Sequence, residues 1–232
     1  MSTVWVGAGY TFGALAITTM LRVGHWRSAI VPIISTWPFS VAMLLATLLH
    51  WDRFFTDTIA FYVWLVIYAI LPVALPVIWW QNRDQDPGPQ PGDVLIPKEF
   101  AWGAGILGIV LILVSLLMIL RPDMAARFWP WQLTPLMSRV IGGWVSFIGT
   151  GMLCLLFERR YIAYRYFLPS AGIWMMILFI ASFFHTDNFN FTRAGSWLWF
   201  ILTGVAAIAI FGISFLLEQG YRNRGMMLGR AS

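Results

Sequence analysis

The side chains best equipped for chemistry sit in two short stretches. Residues 46–54 read ATLLHWDRF and residues 181–189 read ASFFHTDNF. They hold two of the three histidines, His50 and His185, each followed two residues later by an aspartate, Asp52 or Asp187. Two imidazoles and two carboxylates form a ligand set suited to zinc or iron. One imidazole alone suits axial ligation of a haem or chlorin, or proton handling near neutral pH. Arg53, Arg139 and Arg193 complete an expected polar cluster on the same face, with Arg139 expected to pair with Asp52 or Asp187. A plainer reading makes His50 and His185 structural. Each ends an apolar segment, where imidazole meets the negative end of a helix dipole and unpaired carbonyls. The aspartates then brace short loops, and no catalytic residue is assigned.

The elements that must hold these residues are apolar helices. Of 232 residues, 59% are hydrophobic and 11% charged, against about 25% charged in soluble domains, and mean hydropathy is +0.75. Crossing a bilayer takes about 20 helical residues. Seven segments qualify: Val4–Leu21, Ala29–Leu49, Ile59–Trp80, Phe100–Leu120, Leu136–Phe157, Tyr166–Phe184 and Ser196–Leu217. The expected fold is all-α, a polytopic transmembrane bundle of seven helices. A net charge of +5 does not imply a nucleic-acid partner, because the basic residues cluster at segment ends, as topology signals do. With seven spans, one side holds ten basic residues, among them Arg22, Arg27, Arg83, Lys98, Arg160 and Arg230, and the other holds five. The positive-inside rule therefore expects the C-terminus in the cytoplasm and the N-terminus outside.

The two opening stretches belong to a longer match. Trp64 follows His50 by fourteen residues, and Trp199 follows His185 by fourteen. Upstream, Gly7-Ala-Gly-Tyr10 answers Ile141-Gly-Gly-Trp144. Segments one to three thus resemble segments five to seven, and units four helices apart keep the same orientation, which makes the repeat parallel. Residues 1–80 form the first unit, of three helices. Residues 81–99, QNRDQDPGPQPGDVLIPKE, read as a solvated Pro-rich cytoplasmic linker. Residues 100–217 form the second unit, of four helices, and 218–232 a basic cytoplasmic tail. The first unit has one helix fewer, so a partner helix, or one preceding Met1, is expected against it.

Other features carry structure. Phe128, Trp129 and Trp131, beside Pro130 and Pro135, suggest an interfacial bend with aromatics at headgroup depth. Pro72 and Pro76 should bend the third segment. Glycines in the first and fifth segments permit close helix approach. No segment interior holds Asp, Glu, Lys or His, which argues against ion-coupled pumps and voltage sensors. Lys98 is the only lysine and lies in the linker, so a retinal Schiff base within the bundle is excluded. Phosphate-loop, nucleophile-elbow and zinc-protease motifs are absent.

The stretches HWDRF (His50–Phe54) and WPWQLTPLMSR (Trp129–Arg139) resemble segments of uncharacterised bacterial multi-pass membrane proteins. That resemblance covers most of the chain and implies a bacterial cytoplasmic (inner) membrane protein, but no activity. The three-plus-one-plus-three count is also similar to that of the sugar-carrying SWEET proteins, in topology only. The expected role is a non-catalytic subunit or scaffold packing with lipid, quinone, pigment or other membrane proteins, or with a second copy of itself. The alternative is an uncoupled carrier or channel for a small neutral or apolar solute. No cofactor is required by either reading.

Overall fold

The structure is a computed structural model of the 232-residue chain. It describes the backbone of residues 1–23, 25–90 and 92–229, and the side-chain surroundings of all these except 20, 21, 23 and 225–229. Arg230, counted with the basic tail, lies outside the described residues, as do the side-chain surroundings of Leu21.

The chain is 82% helical without strands among the described residues. Its helices are α1 (Ser2–Val23), α2 (Trp26–Leu49), α3 (Ile59–Asn82), α4 (Lys98–Leu120), α5 (Pro122–Phe128), α6 (Pro135–Leu153), α7 (Phe167–Phe184) and α8 (Ala194–Gly229). Six of them, all but α1 and α5, are long and apolar enough to cross a membrane. Every apolar segment expected from the sequence is helical, including the first, although α1 is not among those six. The expected basic tail continues α8 as helix to Gly229.

Local chemistry sets the helix ends. Thr58 and Thr134 cap α3 and α6 by accepting hydrogen bonds from the Phe61 and Met137 amides. Pro122 and Pro135 open α5 and α6, where a missing N–H is harmless. Inside α3, Pro76 has no amide proton for the Pro72 carbonyl. Trp37 of α2 donates to that carbonyl instead, at 3.0 Å, which ties α2 to the proline segment of α3.

Helix α6 lies at the centre, packed on α4, α2 and α1, while α7 packs on α8 and α1, and α2 on α3. The α4–α6 contact is glycine-mediated. A Cβ at Gly108 would stand 2.6 Å from the Gly149 carbonyl oxygen and 2.7 Å from the Leu153 nitrogen. Ser115 donates to the Gly142 carbonyl and Ser138 to the Met118 carbonyl, so each hydroxyl is satisfied while crossing the interface.

The two His-x-Asp stretches have matching geometry. His50 (φ −130°, ψ 35°) and His185 (φ −128°, ψ 32°) terminate α2 and α7, and each leads into one 3-10 turn, Trp51–Arg53 or Thr186–Asn188. The Trp64 indole donates to Thr47 at 2.9 Å and the Trp199 indole donates to Ser182 at 2.8 Å, both across seventeen residues. Thr47 and Ser182 in turn donate to the Met43 and Leu178 carbonyls.

Two expectations need correction. The Pro-rich segment is not solvated throughout: Val94 and Ile96 are buried, and backbone bonds join Ile96 to Arg159 and Tyr161 to Val94. Trp131 does not lie on the surface, as an aromatic of a headgroup belt must. It is 5% exposed, donates to Ser2 at 2.9 Å, and belongs to a cluster of indoles with Trp5, Trp129, Trp174 and Trp199. The reason is that α5 turns the chain back over the bundle, carrying the residues after it against α1 and α8.

Candidate functional site

The end of α2 brings His50 to Arg139, with Nη1 2.7 Å from Nε2. Guanidinium only donates, so Nε2 must accept, and His50 is the neutral tautomer protonated on Nδ1. Burial lowers the His50 pKa first, and the Arg139 and Arg53 charges lower it further, against a smaller upward pull from Asp52. Arg139 therefore pairs with an imidazole rather than with Asp52 or Asp187 as expected. Asp52 pairs with its neighbour Arg53 at 3.2 Å, both largely exposed, a contact worth little in solvent.

His185 holds the matching backbone position, and its carbonyl accepts from the Asn188 amide and side chain. Asp187 and Arg193 line an open groove of about 700 Å³ with Asp123, Arg127, Gln132 and Trp131, and Arg193 reaches the Arg127 carbonyl at 3.5 Å. The four His and Asp side chains proposed as ligands are thus divided between different surroundings. Among the described residues, no three His, Cys, Asp or Glu side chains are grouped to hold a metal.

The opposite end carries an ion network that the sequence reading missed. Arg160, 8% exposed, bonds Asp86 through Nη1 at 2.8 Å and Glu158 through Nε at 2.8 Å. Arg27 donates to Asp93 at 2.6 Å, and Arg224 donates to the Asp93 carbonyl at 2.6 Å. The Arg160 hydrogen bond is the main cause holding the Asp86 carboxyl below the ordinary carboxylate range, with the Arg160 and Arg27 charges assisting against desolvation. These bonds fix the Pro-rich segment to the ends of α2, α6 and α8. Asp86 and Asp93 stand in a stretch whose prolines advertise only a loop, and Arg160 is 67 to 74 residues away in sequence.

Between the ends, a cavity of about 290 Å³ opens among α1, α2, α3, α6 and α7. Its walls are aromatic, and its polar groups are few. Tyr10 and Tyr68 join hydroxyls across it at 2.7 Å. Trp144 lines it, 3% exposed, with an indole N–H that has no partner among the described residues. The cavity reaches the bundle surface beside Tyr10 and Ile17, which are 37% and 54% exposed. The only signal in the sequence was Tyr10 itself, which the expected repeat aligns with Trp144. In comparisons with known proteins, the chain matches no family model, no curated protein and no solved structure.

Proposed function

We propose that the chain is a non-catalytic subunit or scaffold of a bacterial cytoplasmic membrane, built as two parallel units of which α1–α3 and α6–α8 are the repeated parts. It spans the membrane seven times, with its C-terminus in the cytoplasm. The repeat is supported by the matched His50 and His185 turns and the matched indole bonds of Trp64 and Trp199.

One observation carries the subunit reading. In the repeat, Val145, Gly149 and Met152 of α6 correspond to Thr11, Leu15 and Thr18 of α1. On α6, Gly149 and Met152 lie against Gly108 of α4. On α1, Thr11, Leu15 and Thr18 are exposed. The second unit covers this face with its own helix, and the first leaves it bare, with uncharged residues at Thr11, Leu15 and Thr18. A membrane helix of another subunit fits it as α4 fits α6, by close approach rather than by hydrophobic drive.

The test is extraction from native membranes into lipid nanodiscs, followed by measurement of particle mass. The expected result is a complex larger than the monomer that dissociates in a Thr11→Leu, Thr18→Leu variant but not in Ile208→Leu, which changes an exposed position on α8. A monomer in both backgrounds, moving a neutral solute across liposomes, supports the carrier reading instead. That second reading draws on the side-opening cavity among α1, α2 and α3.

A further inference from the structure

We propose that the cavity beneath Tyr10 and Tyr68 is a binding site for an apolar molecule carrying a flat ring with a carbonyl, the chemistry of a membrane quinone. The inference rests on the reading of the chain as a membrane subunit and supplies that subunit with a ligand.

The hydrogen-bond inventory points to an acceptor. Two phenols hold two hydroxyl protons, and the single Tyr10–Tyr68 bond consumes one. The second proton has no partner among the described residues. Trp144, which lines the cavity and is 3% exposed, carries a further N–H without a partner among the described residues. Thr36 adds no donor, because its hydroxyl already donates to the Pro32 carbonyl at 2.7 Å. Burying a donor without a partner costs about 1–3 kcal/mol. A carbonyl oxygen relieves that cost, whereas a hydrocarbon chain does not.

The shape points to a ring. Phe39 stands 4.3 Å from Trp144, centroid to centroid, and Phe147 stacks on Phe167 at 5.5 Å and 20°. All four line the cavity and offer faces and edges that favour offset or edge-on packing of a flat guest. Ligand cavities run from about 300 Å³ upward, so 290 Å³ accommodates one ring and the start of a tail. No histidine lines it, so the walls offer no imidazole to ligate a haem or chlorin.

The two units also differ at this place. Aligned through Gly9 and Gly143, Gly13 stands opposite Phe147; aligned through His50 and His185, Pro32 stands opposite Phe167. The second unit fills these positions with stacked rings, and the first has small or compact residues. A Cβ at Gly13 would have nothing within 4 Å. Entry is lateral: α1 and α3 make no extended contact, and the phenol pair bridges the gap between them.

The experiment titrates decylubiquinone into the full chain in nanodiscs, with empty nanodiscs subtracted. Saturable one-site binding is expected for the natural chain, and its loss in Gly13→Phe, which places a ring in the open space. The double variant Tyr10→Phe, Tyr68→Phe keeps both rings and removes both hydroxyls, and should bind about 2- to 10-fold more weakly, the range of one hydrogen bond. A single Tyr→Phe change should matter less, since the surviving phenol still has a free proton. Decylbenzene, which lacks a carbonyl, should bind no better than it does to the double variant. Three results would each overturn the proposal: no saturable binding above empty nanodiscs, equal binding by Gly13→Phe with unchanged helix content, or equal affinity for decylbenzene and decylubiquinone. None of them affects the subunit reading, which is judged by particle mass.

Discussion

His50 shows how one hydrogen bond fixes a protonation state. Because Arg139 has no acceptor, the contact exists only while His50 is neutral. The folded state lowers the His50 pKa below its ordinary 6.5, through burial and the Arg139 charge. Between the lowered value and 6.5 the unfolded chain binds more protons, so stability falls as pH falls through that window. Asp52 and Arg53 face the same imidazole and partly offset each other. We therefore expect thermal stability of the natural chain to decline from pH 7 to pH 5 relative to His50→Gln. Parallel unfolding curves for the two proteins across that range would count against the tautomer. The sequence made His50 conspicuous but misassigned its partner. Charge arithmetic favoured an aspartate for Arg139, and only the turn after Leu49, which leaves Asp52 pointing into solvent beside Arg53, decides otherwise.

Helix packing depends on what a glycine makes room for. At Gly108 an added methyl meets the backbone of α6, which cannot yield without separating the helices. Gly108→Ala should therefore cost about 1–3 kcal/mol as overpacking. Gly103→Ala, on the same helix with nothing within 4 Å, should gain up to about 1 kcal/mol from helix propensity. Unfolding of both variants in mixed detergent checks the contrast, and equal stabilities would show that α4 and α6 tolerate a wider spacing. The docked Pro-rich segment allows a second test. Removing Arg160 leaves Glu158 mostly enclosed without its cation and Asp86 with Arg27 alone, 3.7 Å away, and breaking a buried pair costs about 3–5 kcal/mol, with the lower end expected at a site near water. Arg160→Ala should make Pro87–Asp93 sensitive to protease while the helices stay intact. Acid should do the same only below the ordinary carboxylate range, because Asp86 keeps its charge until pH falls through its lowered pKa. Helix positions were legible in the sequence because apolar length and proline placement act locally. This docking was not, since it joins residues about 70 positions apart whose types are common in any loop.

For the whole chain, the proposed parallel repeat makes a directional claim. If α1–α3 and α6–α8 share an orientation, the turns after His50 and His185 face one side of the membrane and the Pro-rich segment faces the other. In a Cys154→Ser background, Thr56→Cys and Asn188→Cys should react together with an impermeant maleimide in sealed vesicles, and Gln85→Cys only after permeabilisation. Labelling of Thr56→Cys and Asn188→Cys from opposite sides would falsify the parallel arrangement. The matching turns at His50 and His185 and the matching Trp64 and Trp199 bonds were readable because these residues sit at fixed spacings. The indole cluster was not, because apolar and aromatic residues recur throughout a membrane protein and give no hint of which ones meet. That cluster has an optical consequence. Trp144 lies 5.2 Å from Trp174, Trp174 lies 5.6 Å from Trp5, and Trp5 lies 5.3 Å from Trp199. Transition dipoles this close exchange excitation faster than they emit, so light absorbed by one indole belongs to the set. Emission from the cluster should be strongly depolarised even in an immobile particle. A single quencher seated against Trp144 should darken several tryptophans at once, so the fluorescence lost on filling the cavity should exceed one tryptophan's share of the fourteen.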